Sequence, residues 1–536
     1  MQHMKTMQKC LIVLLAGAMA AVSCNKQPET KSYTITSDIT SVSEVAANNP
    51  GTQTLVVTTD APYWIALGPE WVSIDPVMGV GGGKSTVVTL TFQSNYKNES
   101  TDTFPRTGEV KFSGGMTSLV VPVSQLGHKG VIDPDASIGG IPDEDEFMDF
   151  IAAVNDGEPI IRWLNDKKEV ELLEDLDLSE VADWVPIGNV EKTGNGNNAS
   201  APEGNYFSGV FNGGGHTIKG FKVSKTDIAD GGTFGLFGAL YRATVKDLNI
   251  EADFTVGGLA TGDAGVLAGT VYASTIENVK VTGTIKTEGT QTDNKRFAVG
   301  GIAGFVFCCS SEGDLLESSI KGCEVNVTVT GNGGANTKNG ATAPMFGGIA
   351  GFSTGDKSAA RTTIENCVVR GTITADQGRC SGLLATPNNA TVIKDCTNYA
   401  SQVNNFVNGR VGNLVSLLNL DCHMVNCANY GDVTTTASNT TTGGMIALLN
   451  DNSCTVEGGG NYGNVRTGNT AANGRGLLVA NFSKFASFKN VVVSGTLGMA
   501  GGEVFDVNAG NFMEYIGGNS AGKETISGLT YVAPAQ

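Results

Sequence analysis

Residues 364 to 373 read I-E-N-C-V-V-R-G-T-I, and Gly347-Gly348-Ile349-Ala350-Gly351 stands just before them. Variants of this pair of phrases recur through the second half of the chain. An apolar column runs Ile218, Val245, Ile276, Ile320, Ile364, Ile393, Met424, Val456, Phe488, Ile526. Two residues after each comes Gly220, Asp247, Asn278, Gly322, Asn366, Asp395, Asn426, Gly458, Asn490 or Gly528. These are only Gly, Asn and Asp, the types that enter a left-handed backbone at least cost. The next residue is Phe221, Leu248, Val279, Cys323, Cys367, Cys396, Cys427, Gly459, Val491 or Leu529. A second apolar column runs Leu236, Leu267, Ile302, Ile349, Leu383, Leu414, Met445, Leu478, each with a small residue two positions on. One such repeat cannot bury its apolar side, but stacked copies can. The pattern predicts a right-handed parallel β-helix of about ten coils, a rod of about 45 Å at the usual rung spacing.

Composition narrows the partners. The chain has 536 residues, 72 of them Gly, and a net charge of −18. That charge speaks against nucleic acid and against anionic membrane surfaces. Eleven Cys are present, yet Cys323, Cys367, Cys396 and Cys427 share one repeat column where Val and Leu alternate with them. They read as small buried hydrophobes, although neighbouring coils bring α-carbons near disulfide range. Cys308-Cys309, Cys380, Cys422 and Cys454 follow no zinc spacing, so no metal and no cofactor is expected.

Residues 1–23 carry Lys5 and Lys9 and then an apolar run too short to span a bilayer. Ala21-Val22-Ser23-Cys24 resembles a bacterial lipobox. The resemblance implies cleavage before Cys24, which then carries the lipid, with 24–32 as a tether. Residues 33–127 hold alternating strand patterns at 54–58, 86–92, 108–112 and 119–123. They predict a small sandwich. The order Trp64, Trp71, Gly79 to Gly83, Asn95, Arg106-Thr-Gly108 and Val121 to Gln125 resembles the BACON family, found at the front of Bacteroidetes lipoproteins, and the resemblance implies that the sandwich is immunoglobulin-like. That resemblance offers Trp64 and Trp71 as sugar-stacking aromatics, against a core or rim role.

A linker covers 128–141. Phe147, Phe150, Ile151 and Val154 at helical spacing predict a helix over 143–156, a lid on the β-helix that occupies 142–536. The succession 170–178, 184–188 and 207–218 resembles the entry segment of GLUG-repeat surface proteins, and Gly235 to Gly238, Gly301 to Gly304 and Gly348 to Gly351 resemble the repeat signature itself. The fold class is therefore all-β: an immunoglobulin-like sandwich, then a right-handed parallel β-helix with an N-terminal capping helix.

Chemistry is sparse. Glu277 and Glu365 share a column with Lys219, Lys246, Lys321, Lys394 and Lys489, which reads as a solvated face rather than a carboxylate pair. His216 lies in a Gly-rich turn. Asn398-Tyr399, Asn429-Tyr430 and Asn461-Tyr462 fall at one place in three successive coils. Facing outward, Tyr399, Tyr430 and Tyr462 would form an aromatic strip for a sugar chain; facing inward, they are core. The excursions 227–233, 289–297, 308–319, 331–344 and 355–362 are the other candidate surface. Asp247, Asn278, Asn366, Asp395, Asn426 and Asn490 are expected to form a turn ladder.

The expected function is a non-catalytic outer-membrane lipoprotein, exposed at the cell surface, that binds glycan or a host surface. Its membrane contact is expected through the lipid anchor alone. The alternatives are a protein-recognising adhesin or structural component, and a β-helix polysaccharide lyase or hydrolase.

Overall fold

In a computed structural model the described residues are 32–534, apart from 47–49, 51, 94, 98–104, 130–137, 182–183, 189, 192–202, 226–231, 258–261, 289–296, 312–313, 333–342, 356–360, 377 and 519–525. The expected export segment and Cys24 fall outside them. The chain forms two compact units, 1–133 and 134–536.

The first unit is a two-sheet sandwich. One sheet orders its strands Ile35–Ser37, Thr52–Thr59, Lys84–Phe92, Val72–Asp75; the other orders Val42–Val45, Thr117–Gln125, Arg106–Gly114, Tyr63–Leu67, Met78–Val80. Alternation along each strand sends Leu55, Val57, Trp64, Val88, Leu90, Val110, Phe112, Val121 and Val123 into a common core. Trp64 packs edge-on to Phe112 at 5.5 Å. Gly79 lies so close that a Cβ there would meet the indole at 2.5 Å.

The second unit begins with a helix, Glu144–Asp156. Asp143 caps it by accepting the Glu146 amide at 2.9 Å, and Gly157 ends it at φ 70°. Phe147, Phe150, Ile151 and Val154 are buried. Phe150 meets Phe207 at 5.9 Å and Phe211 at 6.1 Å, so the helix packs on the inward aromatics of the first coil. Glu146 is also buried and paired, accepting from Arg162 and from the Trp163 indole at 3.0 Å.

Beyond the helix the chain winds into a right-handed parallel β-helix. The coil 379–409 shows the plan. Arg379–Ser381 joins an 8-stranded sheet, Leu384–Asn388 and Thr391–Lys394 join a 17-stranded sheet, and Thr397–Asn398 and Ser401–Asn404 join a 15-stranded sheet. Rung pairing is parallel and in register: Ile276, Ile320, Ile364, Ile393, Met424, Val456 and Phe488 each sit beside the next. Inside, Ile349 donates its amide to the Leu383 carbonyl, Leu383 to Leu414, Leu414 to Met445 and Met445 to Leu478. All of these side chains are buried.

The stack has about 8 turns rather than the expected ten. Ile218 explains part of the difference. It pairs with Ile250 on another face, and Phe211 is the residue in register with Val245. The Ile-x-Gly-Phe spelling at 218–221 mimics the corner because Gly220 is also left-handed, at φ 82°. Lys219 leaves the charged column for the same reason and instead lies beside Asp177.

The corner positions share one conformation. Asp247, Asn278, Asn366, Asp395, Asn426 and Asn490 all lie at φ 53–56°, and Gly322 and Gly458 at 61° and 69°. Their amides step along the rod: Asn278 donates to the Lys321 carbonyl, Asn366 to Lys394, Asp395 to Val425, Asn426 to Glu457. Asn278 also donates to the Asp247 carboxylate at 3.1 Å, and Asn426 to Asp395 at 3.0 Å. Replacing Asn366 by a β-branched residue puts Cβ strain at this corner. Asn366→Val should lose about 1–2 kcal/mol, whereas Asn366→Gly should stay near wild type; thermal melts of the two variants provide the check.

Candidate ligand-binding face

The corner sets side-chain direction. After left-handed Asp395, Cys396 and Asn398 are buried, and Tyr399 is 44% exposed. The Asn398 side-chain oxygen accepts the Ala400 amide at 3.1 Å, and Asn429 accepts that of Gly431 at the same distance. These are Asx-turns, and the residue at their centre is thrown outward. The Asn side chains also bond to one another along the rod. Asn398 donates to Asn429 at 2.8 Å, Asn429 to Asn461 at 2.7 Å, and Asn461 to the Ser494 carbonyl at 3.2 Å. Every amide in this buried ladder is thus spoken for.

Tyr399, Tyr430 and Tyr462 therefore face out. Tyr399 and Tyr430 are nearly parallel at 5.2 Å, and Tyr430 and Tyr462 at 4.8 Å. The exposed Arg370 lays its guanidinium 4.5 Å from the Tyr399 ring centre, closing that end. Burial, and then the neighbouring Tyr430, raise the pKa of the Tyr462 phenol. The strip differs from the expected platform in one respect. Rings stacked on each other turn their faces inward along the stack, so solvent meets ring edges and hydroxyls. A polar column runs alongside. Asn464 donates backbone and side-chain N–H to Asp432 at 2.8 and 3.0 Å, and Thr496 donates its hydroxyl to Asn464 at 2.7 Å.

The remaining sequence candidates separate. Trp64 is fully buried and offers no face to a sugar. Its alternation with exposed Tyr63 and Ile65 fixes it in the sandwich core. Trp71 is half-buried, with Phe92 at 6.1 Å and the Arg106 guanidinium 4.5 Å over its ring. His216 bonds Asp175 at 3.2 Å beside left-handed Gly214 and Gly215. The excursions lie wholly or partly outside the described residues. The column of mixed acids and bases alternates in sign, Lys246, Glu277, Lys321, Glu365, Lys394. Lys394 bonds Glu365 at 2.8 Å, and that contact raises its pKa; Lys246 bonds Glu169 at 2.7 Å and holds that carboxyl low. Sequence reasoning singled out the tyrosines but missed Arg370 and the inward Asn ladder. The period of about one coil between Asn398, Asn429 and Asn461 was the available signal.

The eight described cysteines that the structure records as free thiols, Cys308, Cys323, Cys367, Cys380, Cys396, Cys422, Cys427 and Cys454, are all buried. Cys323, Cys367 and Cys396 each bond the carbonyl two residues back, at 3.3, 3.2 and 3.2 Å. Burial pushes Cys422 up to about 12 and Cys454 up to about 11 from an ordinary 9.0. A thiol raised on folding stabilises below its unfolded value and loses that contribution as pH climbs through the folded one. The melting temperature should fall as pH rises from 9 towards 12. Native protein should resist iodoacetamide at pH 8 while denatured protein reacts, as read by intact mass.

The class defined by these features is a sandwich joined to a parallel β-helix. No protein-family model matches the chain. A segment of 184 residues is 27% identical to a protein of Evansella cellulosilytica named "Putative Gly-rich membrane protein", covering 33% of this chain and 19% of that one. The match thus spans about a fifth of the relative's length. Among solved structures, one described as "a putative immunoglobulin A1 protease from Bacteroides ovatus" is 21% identical with a TM-score of 0.36, covering 50% of this chain and 70% of that chain. Another, "IgA1 Protease", is 16% identical with a TM-score of 0.39, covering 83% and 27%. The expectation that the protein is not an enzyme is corrected here. The similar solved structures bear the name of an enzyme, so absence of activity has no place in the functional reading.

Proposed function

We propose that the protein is a membrane-associated, surface-exposed binding rod whose tyrosine face engages an extended glycan. The observation that carries this reading is the outward stack Arg370–Tyr399–Tyr430–Tyr462 beside the polar column Asp432–Asn464–Thr496. The ring centres repeat at 5.2 and 4.8 Å, near the rise per sugar of an extended polysaccharide. Ring edges and hydroxyls then contact the chain laterally, with hydrogen bonds from the neighbouring column. Membrane association draws support from the name of the Evansella relative and from the lipobox-like Ala21 to Cys24. Lipidation at Cys24, outer-membrane location, and BACON-like and GLUG-like membership belong to the same proposal.

The test separates hydroxyls from stacking. The triple variant Tyr399→Phe, Tyr430→Phe, Tyr462→Phe keeps the stacked rings and removes three hydroxyls. On immobilised polysaccharides it should bind at least about tenfold more weakly than wild type, since each lost hydrogen bond removes about 0.5–1.5 kcal/mol. Its melting temperature should not change. Wild-type protein that binds no glycan, or a variant that binds equally well, would falsify the glycan reading.

A further inference from the structure

The sandwich carries an apolar face that its own core does not use. Strand Tyr63–Leu67 alternates, burying Trp64 and Ala66 and exposing Tyr63, Ile65 and Leu67 at 49%, 37% and 57%. Its neighbour Met78–Val80 is the edge strand of the sheet. Register sets Val80 beside Tyr63 and Met78 beside Ile65. Met78 and Val80 are 54% and 65% exposed. On the other side Ile65 lies beside Ser113, and Leu67 beside Lys111, with exposed Val120 next to Lys111. No carboxylate stands among these cross-strand neighbours. A contiguous apolar patch on a small domain usually marks a contact surface.

The chain's point of entry says what covers it. The Tyr33 ring lies against Gly115, and the Tyr33 carbonyl accepts from the Thr117 hydroxyl at 2.8 Å. Gly115 belongs to the hairpin whose Met116 is 91% exposed. A Cβ at Gly114, beside it, would meet Ala61 at 3.1 Å and the Tyr63 carbonyl at 3.4 Å. Tyr33 is thus held at the rim where Met116 stands. Residues 25–32 reach at most about 28 Å when extended. An anchor at Cys24 would hold this rim next to the bilayer.

We propose that the Tyr63, Ile65, Leu67, Met78, Val80 and Met116 face docks on the lipid surface, sinking its side chains into the headgroup and acyl boundary. This rests on the reading that Cys24 is anchored, and it extends membrane contact beyond the anchor. The net charge of −18 opposes attraction to anionic headgroups, so burial of apolar side chains supplies the contact.

The mature-length chain with Cys24→Ser, made from residue 24 onward and so free of both the lipid and the apolar export run, is mixed with zwitterionic palmitoyl-oleoyl phosphatidylcholine and phosphatidylethanolamine vesicles. It should co-sediment, and adding Ile65→Ser and Leu67→Ser should lower the partition roughly tenfold or more. In the anchored chain, Leu67→Trp should gain fluorescence that brominated lipid quenches. Vesicle-held protein without that quenching overturns the docking face and leaves the anchor standing. Wild-type protein that vesicles fail to hold overturns the anchor, and the Cys24→Ser partition then decides the face alone. A concentration-dependent dimer, lost in Ile65→Ser/Leu67→Ser while quenching is absent, assigns the patch to a second copy and overturns the lipid reading.

Discussion

The β-helix depends on one residue per coil entering the left-handed region. It turns the chain from the 17-stranded sheet into the 15-stranded one, and most side chains oppose it. Asn and Asp reduce that cost, and Gly removes it. The corner then does more than bend the chain. Because it occurs at the same place in each coil, it holds the register of everything that follows. A slip of one residue would turn Cys396 and Asn398 outward and Tyr399 inward. The buried Asn ladder resists that slip, because each of its amides already holds a partner on the next rung.

Much of this was legible in the residues. A column containing only Gly, Asn and Asp, two positions after an apolar one, is a backbone statement, and the parallel stack follows from it. The number of coils was harder to read. Ile218 and Gly220 obey the same local rule as a corner without belonging to the column, since left-handed glycine also serves other bends. Trp64 shows a different limit. An aromatic in an alternating strand has two faces to choose from, and only the partner sheet, with Gly79 and Phe112 against it, decides. The direction of Tyr399 was undecidable for the same reason until the Asx-turn at Asn398 was visible. What its ring could offer depended further on the neighbours above and below.

The outer faces divide along the rod by chemistry. On the 17-stranded sheet, Lys and Glu alternate from rung to rung over Lys246 to Lys394, and Lys394 pairs with Glu365 and Lys489 with Glu457 across neighbouring rungs. Such exposed pairs stabilise little individually, yet they leave the face electrically quiet. The same logic, neutral partners replacing ions, recurs in later coils. Asn419 donates to Asn388 at 2.9 Å, Asn450 to Asn419 at 3.0 Å, and Asn439 to Asn408 at 2.7 Å. These coils repeat every 31 or so residues, with Arg379, Arg410 and Thr441 directly stacked.

That regularity is also what supports the linear ligand proposed for the tyrosine face. A rod whose side chains recur at the strand spacing offers one contact per rung, and only a partner with a matching repeat can use them all. Weak contacts then add along the axis, each increasing the gain from holding the next in place. Arg370 over the Tyr399 ring marks one end of the strip and gives it a direction. Binding strength should therefore scale with ligand length up to the span of the stack and then level off, a dependence that a single pocket would not produce.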